Sequence, residues 1–141
     1  MTNIIESIRS EFLRYKALGE GAINQIDDAA LSAEGPNGGS SIAVICWHIA
    51  GNLQSRFTDL LTSDGEKPWR NRDEEFQQRV VTRAELLSKW GQGWEVLLSA
   101  LANLEDEQLP NTVTIRGVPL RVDAALHRSL AHLSYHVGQI V

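Results

Sequence analysis

Apolar residues recur three or four positions apart through four long segments of the chain. This spacing places them on one face of an α-helix, with polar residues on the other faces. The pattern predicts helices over residues 2–27, 42–61, 82–104 and 122–141. The third helix begins with a capping box, because Thr82 is followed three residues later by Glu85. The last pattern runs to Val141 without a stop signal, so we expect the natural chain to continue beyond it.

The three connections between these segments differ in character. Residues 34–39 are rich in glycine and proline and predict a loop, after which Ser40 or Ser41 caps the second helix. The connection over residues 62–81 is long for a compact domain, and such loops are usually functional or disordered. It carries Trp69 and Phe76, which are unusual in a disordered linker. Residues 112–120 alternate in the manner of a short β-hairpin, although Pro119 weakens the second arm.

Together these elements predict an all-α fold, a four-helix bundle with a long crossover and a short β-hairpin-like excursion before the last helix. The 141 residues suit a single domain over residues 1–141, and 43 % hydrophobic residues supply its core.

Composition narrows the function classes. The net charge is −5, so the chain lacks the basic excess with which proteins neutralise nucleic-acid phosphates. No apolar run is long enough to span a bilayer, and residues 1–11 do not resemble a secretion signal. Cys46 is the single cysteine, which excludes an intramolecular disulfide. We therefore expect a cytoplasmic protein that binds neither nucleic acid nor membrane.

The histidines are the strongest candidates for chemistry. His132 and His136 are four residues apart, so their rings project from one face of the last helix and can bind one metal ion. Ser129 and Ala125 precede them on the same strip, and their small size leaves room for a cavity. His48 can complete a three-histidine site if the second and fourth helices are neighbours. His127 faces the other way and is interpreted as a surface residue. A histidine on an apolar face can also be a hydrogen-bonded core residue, and that alternative stays open.

Two segments resemble the motifs of the DinB/YfiT-like metalloprotein superfamily. In residues 131–140, His132 and His136 are followed by Gly-Gln-Ile, as in the carboxy-terminal signature of that superfamily. Residues 45–52 contain the Trp47–His48 pair of its second-helix motif. Residues 56–73 are similar to one uncharacterised branch, and the resemblance covers essentially the whole chain.

The resemblance implies an up-down-down-up four-helix bundle and a divalent metal, usually zinc, nickel or iron, on His48, His132 and His136. It also implies a homodimer and a small-molecule substrate. Characterised relatives include thiol-dependent S-transferases and isomerases that use a low-molecular-weight thiol as co-substrate. Other members have no established activity.

Two reaction classes and one non-enzymatic role remain open. A three-histidine site leaves metal positions for a substrate, which favours catalysis over a structural role. Neither a His-Glu-x-x-His motif nor a suitably placed carboxylate on the ligand helices supplies a general base, so thiol transfer is favoured over metal-dependent hydrolysis. A non-enzymatic metal-binding or dimerisation bundle is the third reading. Cys46 falls within the apolar stripe and is interpreted as a buried hydrophobic residue.

Several polar residues are candidates to support the site. Asn52 and Gln139 are placed to orient imidazole rings, and Arg56 follows Asn52 by one helical turn. In the long connection, Arg70 and Arg72 could hold a carboxylate of a thiol co-substrate, and Trp69 could wall the cavity. These residues could instead belong to a surface loop whose arginines pair with neighbouring acids.

Overall fold

The computed structural model describes residues 3–141 and is mostly helical, with one small two-stranded sheet. Four of the helices are long and two are short. In chain order they are α1 (Ile4–Ile23), α2 (Asp28–Ser32), α3 (Ile42–Phe57), α4 (Arg72–Glu75), α5 (Arg83–Ala102) and α6 (Val122–Ile140). The antiparallel strands are β1 (Thr112–Ile115) and β2 (Val118–Arg121), and short 3-10 turns cover Pro36–Gly38 and Asp106–Gln108. None of the helices in this part of the chain combines the length and apolarity needed to cross a bilayer.

The predicted helix boundaries are corrected at two places. The first helix ends at Ile23 rather than at residue 27, because the Asp27 carboxylate caps the separate helix α2 by accepting the Ala30 N–H at 2.8 Å. Helix α3 ends at Phe57 rather than at residue 61, since Thr58 is extended and Asp59 is left-handed with φ of 48°. The predicted start at Thr2 lies outside the described residues.

Other predicted elements are confirmed. Thr82 and Glu85 make both bonds of the capping box at the start of α5. The hairpin forms, and Pro119 of β2 lies opposite Thr114 of β1. The long connection is ordered: it contains α4, and the side chains of Lys67 and Glu75 are buried.

One apolar core joins the long helices. Buried residues from Ile5 in α1 to Ile140 in α6 form a single cluster. Helix α3 packs on α5 and α6, and α1 packs on α6 and α5. Trp90 and Trp94 are each 1 % exposed at the centre, which confirms that they are core residues.

Helices α3 and α5 approach closely because small residues face each other. A Cβ added at Gly93 would lie 2.8 Å from the Ala50 Cα, closer than real Cβ atoms come. This close approach fixes α3, the helix that carries His48, against the centre of the core.

Candidate metal centre and its pocket

Helix α3 carries His48 in its most buried stretch. The helix is capped by Ser41, whose hydroxyl oxygen accepts the Val44 N–H at 3.1 Å. Residues 43–46 and 48–53 are all buried, so the His48 side chain is only 3 % exposed. Because α6 packs on α3, His132 and His136 meet His48 across the helix interface.

The three imidazoles converge through one nitrogen each. His132 Nε2 lies 3.1 Å from His48 Nε2 and 3.1 Å from His136 Nε2. The ligand atoms of the three residues all lie within 4.8 Å of one another, so the group can hold a metal ion. Nitrogens bound to one tetrahedral zinc at about 2.05 Å are separated by roughly 3.3 Å, close to the spacing found here. His127 is exposed on another face of α6.

Hydrogen bonds on the far side of the His48 and His136 rings hold the ring proton on Nδ1. His48 Nδ1 donates to Glu75 Oε1 at 3.0 Å, and His136 Nδ1 donates to Gln139 Oε1 at 2.7 Å. In the neutral imidazoles both Nε2 atoms therefore present lone pairs. His132 Nε2 can donate to only one of them, so lone pairs face each other at the centre. A cation at that point satisfies all three nitrogens, and the donor set thus fits a divalent metal.

The environment also keeps the imidazole rings of His132 and His136 in their neutral form. Burial, together with His136 and His48, lowers the pKa of His132 to about 4. Burial is also the main cause that lowers the pKa of His136, and the hydrogen bond that His136 donates to Gln139 opposes it. At neutral pH these rings are therefore neutral, which is the form that binds metals.

Glu75 is the carboxylate that supports His48, and it comes from the short helix α4. Its two oxygens also accept from Arg70, Nη2 to Oε1 and Nε to Oε2, each at 2.9 Å. The Arg70 side chain is 2 % exposed and that of Glu75 is 7 % exposed. Burial opposes the charge on Glu75, but the bonds from His48 and Arg70 outweigh it and lower its pKa. Carboxylate–histidine pairs of this kind orient metal-binding rings.

Gly51 makes room for that carboxylate. It follows His48 by three residues on α3, and a Cβ at this position would lie 2.0 Å from Glu75 Oε2. Only a glycine allows the carboxylate to rest against the helix. The ring of Phe76 lies 4.7 Å from that of His48 and covers it from outside.

A concave pocket of about 490 Å³ opens beside His48 and His132. Asn52 and Ser129 lie in its wall, as do the hairpin residues Ile115 and Val118. Its other lining residues are five arginines, namely Arg56, Arg70, Arg72, Arg116 and Arg128.

The long connection holds the hairpin over this pocket. Asp64 accepts the N–H groups of Arg116 and Gly117, each at 2.8 Å, and the Gly65 N–H donates to the Thr114 carbonyl at 2.8 Å. The buried Lys67 ammonium donates to the Ser55 carbonyl of α3 at 2.7 Å. The connection therefore ties the hairpin to α3, which brings Arg116 to the rim of the site.

The predicted supporting residues lie at three different places: the pocket, His136 and Glu75. Asn52, Arg56 and Arg72 line the pocket, and Gln139 contacts His136 instead. Arg70 holds Glu75 with its guanidinium rather than standing free for a substrate carboxylate.

The expectation that Trp69 walls the cavity is corrected. Its side chain points to solvent, with 57 % of the residue exposed, and Ile115 and Val118 form the apolar wall instead. The hairpin takes this place because Asp64 anchors it beside the long connection.

Sequence reasoning missed Glu75, Arg116 and Arg128. Glu75 lies 27 positions from His48 in a region without periodicity, so no spacing connects the two residues. Arg116 and Arg128 belong to no recognisable sequence motif. The helical step from His132 back to Arg128 was the one available signal, since the two residues are one turn apart.

Cys46 takes no part in the site. It is fully buried, and burial raises the pKa of its thiol to about 12. It is the small buried hydrophobic residue that its place in the apolar stripe indicates.

A comparison with curated proteins finds no match. Among solved structures, the chain is similar to a conserved protein from Enterococcus faecalis, with a TM-score of 0.73 and 18 % identity. That likeness covers 99 % of this chain and 94 % of the other, and it concerns the fold. The pattern of the family described as protein of unknown function (DUF1572) matches residues 1–141, and the chain therefore belongs to that family.

Proposed function

We propose that this protein is a divalent-metal-dependent enzyme whose metal is held by His48, His132 and His136. The observation that carries the proposal is the convergence of three Nε2 atoms while Nδ1 of two rings donates to Glu75 and Gln139. Zinc, nickel and iron all accept three imidazoles, and imidazole ligands alone do not choose among them.

The open side of the site supports a catalytic role over a structural one. The pocket reaches His48 and His132, so small molecules have a path to the site. Among the described residues, the group of metal-binding side chains contains only the three histidines. A structural zinc site is normally closed by a fourth protein ligand, whereas catalytic sites keep a position open.

A divalent metal bound here would supply Lewis acidity that lowers the pKa of a thiol or of water. Among the residues that line the pocket there is no aspartate or glutamate. Glu75 is already engaged by His48 and Arg70 through both oxygens, so it orients a ring rather than accepting a substrate proton. These contacts favour a thiol-dependent S-transferase-type reaction over hydrolysis, because a thiolate nucleophile requires no general base once it is ionised.

The arginines of the pocket support the same choice. Positive charge near a thiol stabilises the thiolate, and five guanidinium groups line this cavity. A low-molecular-weight thiol would be the co-substrate and a small electrophile its partner. Hydrolysis remains the alternative reaction, and a non-enzymatic metal-binding bundle the alternative role.

We further infer membership of the DinB/YfiT-like superfamily, with its up-down-down-up four-helix bundle and homodimer. Four long helices, an extended connection between α3 and α5, and a hairpin before α6 support this inference. The three-histidine group lies on the motif residues that carry the resemblance.

The first experiment measures metal content of the tag-free protein by elemental analysis. We expect about one metal per chain in the wild type and in the surface control His127→Ala. The triple variant His48→Ala, His132→Ala, His136→Ala should hold none. A wild type that takes up no zinc, nickel or iron on reconstitution would overturn the proposal.

Two further measurements separate the reaction classes and the roles. Turnover of a thiol with epoxide, halide or activated-alkene electrophiles should require the metal and be lost in His132→Ala. Turnover of esters or amides without a thiol would favour the hydrolase instead. Removal of the metal from the wild type with a chelator should lower the melting temperature strongly only if the metal serves structure, since structural metal binding is folding free energy.

A further inference from the structure

The pocket beside the three histidines concentrates positive charge on an acidic protein. Five arginines reach it from four elements: α3, the long connection, the hairpin and α6. The whole chain carries a net charge of −5, so this clustering runs against the overall composition. Positive charge concentrated in a cleft raises the local concentration of negatively charged ligands.

Nearby carboxylates do not neutralise the cluster. Glu66 Oε2 lies 3.1 Å from Arg56, 3.5 Å from Arg70 and 3.3 Å from Arg116, so one carboxylate is shared by three guanidinium groups. Glu75 pairs with Arg70. Two carboxylates therefore neutralise only part of the charge of the five arginines.

Two of the arginines are fully available to a ligand. Within residues 3–141, Arg72 and Arg128 contact no carboxylate at ion-pair distance, and both are exposed at the pocket. Arg116 contacts Glu66 through Nε and its side chain is 55 % exposed, which leaves its two Nη groups for another acceptor.

The size and walls of the pocket indicate an organic molecule. Its volume of about 490 Å³ far exceeds that of a small inorganic ion and falls within the usual range for small-molecule sites. Ile115 and Val118 add an apolar wall. A nucleic acid would instead require an extended basic surface, which the net charge of −5 does not favour.

We propose that this pocket binds a small organic anion, whose carboxylate or phosphoryl group is held by Arg72, Arg116 and Arg128. Guanidinium groups bind both kinds of oxyanion through paired N–H bonds. The rest of the molecule extends along Ile115 and Val118 toward His48 and His132. The placement of the ligand's reactive end beside the histidines rests on the proposed function, whereas anion binding by the arginines does not.

The test titrates two anions against the full-length protein at constant ionic strength, followed by NMR chemical shifts. Succinate represents carboxylates and glycerol 2-phosphate represents phosphoryl groups, with succinamide and glycerol as neutral counterparts. Each titration is made with the metal-free and the zinc-treated protein. We expect at least one anion to bind in both forms and neither neutral compound to bind; the better anion assigns the oxyanion class.

The variants Arg116→Gln and Arg128→Gln should each weaken that binding roughly tenfold, the effect of losing one charge-assisted contact. Arg121→Gln is the matched control: Arg121 lies at the end of the same hairpin, is 61 % exposed at its side chain and pairs with Asp123. It removes the same charge and should leave anion affinity unchanged. Melting curves of all three variants verify that they fold.

Three results would overturn the inference: no anion binds, Arg121→Gln weakens binding as much as Arg116→Gln, or anions bind only with zinc and ignore the arginine variants. The last result would mean that the metal itself binds the anion. Arginine-dependent anion binding in a protein that takes up no metal would support this inference and refute the proposed function, so the two failures are distinguishable.

Discussion

Gly51→Ala should damage the metal site while sparing the helix that carries it. In α3 an alanine Cβ would lie 2.0 Å from Glu75 Oε2 and 2.5 Å from its Cδ, so the carboxylate must move. Displacement breaks its bonds to His48 at 3.0 Å and to Arg70 at 2.9 Å. Orienting contacts of this kind typically change metal affinity by about 10- to 100-fold.

Loss of the same contacts also lowers the stability of the protein. Hydrogen bonds to charged groups contribute about 1.5–3 kcal/mol each, so losing the His48 bond and one of the two Arg70 bonds costs about 3–6 kcal/mol. Replacing a helical glycine by alanine returns about 1 kcal/mol. We therefore expect the free energy of unfolding to fall by about 2–5 kcal/mol, the difference of these two estimates.

The assay is zinc affinity by competition with a chelating indicator, together with urea unfolding of the metal-free protein. Gly91→Ala is the matched control, because α5 leaves open space around that position and the variant should be neutral or more stable. Glu75→Gln keeps the shape of the side chain and should reproduce the loss of zinc affinity without the clash. Wild-type zinc affinity and stability in Gly51→Ala would refute the role assigned to Glu75.

Three further outcomes are expected. Gly93→Ala should lower the free energy of unfolding by about 1–3 kcal/mol, because its Cβ would meet the Ala50 backbone at 2.8 Å; a urea midpoint equal to that of Gly91→Ala would contradict this. The backbone N–H groups of Glu66, Gly117 and Arg116 lower the pKa of Asp64 below its ordinary 3.8, so its stabilisation is present above that pH and is lost as the pH falls through the lowered pKa. The difference in urea midpoint between wild type and Asp64→Ala should therefore be largest above pH 4 and shrink on acidification, and a difference independent of pH would count against the turn. Cys46 should resist alkylation by iodoacetamide until the protein unfolds, since its thiol is buried with a pKa raised to about 12; rapid labelling of the native protein would refute its burial.

Local periodicity was sufficient to predict the elements whose formation depends on one segment of the sequence. A capping box and an apolar stripe identify α5 because both depend on neighbours three or four residues away. The pairing of His132 with His136 follows from the same helical geometry, and so does the exposure of His127. Two helix ends were predicted too late, because the apolar spacing continues past the true ends while Asp27 caps a new helix and Asp59 takes a left-handed backbone conformation.

The sequence by itself thus determined a helical protein with a hairpin and two histidines on one face of its last helix. Only the tertiary structure decided that His48 joins them, because this depends on the packing of α3 against α6. Glu75 reached His48 through an ordered connection with no periodicity, and through the space left at Gly51. The net charge of −5 concealed an arginine-lined pocket, since a sum over the chain carries no information on which charges folding brings together.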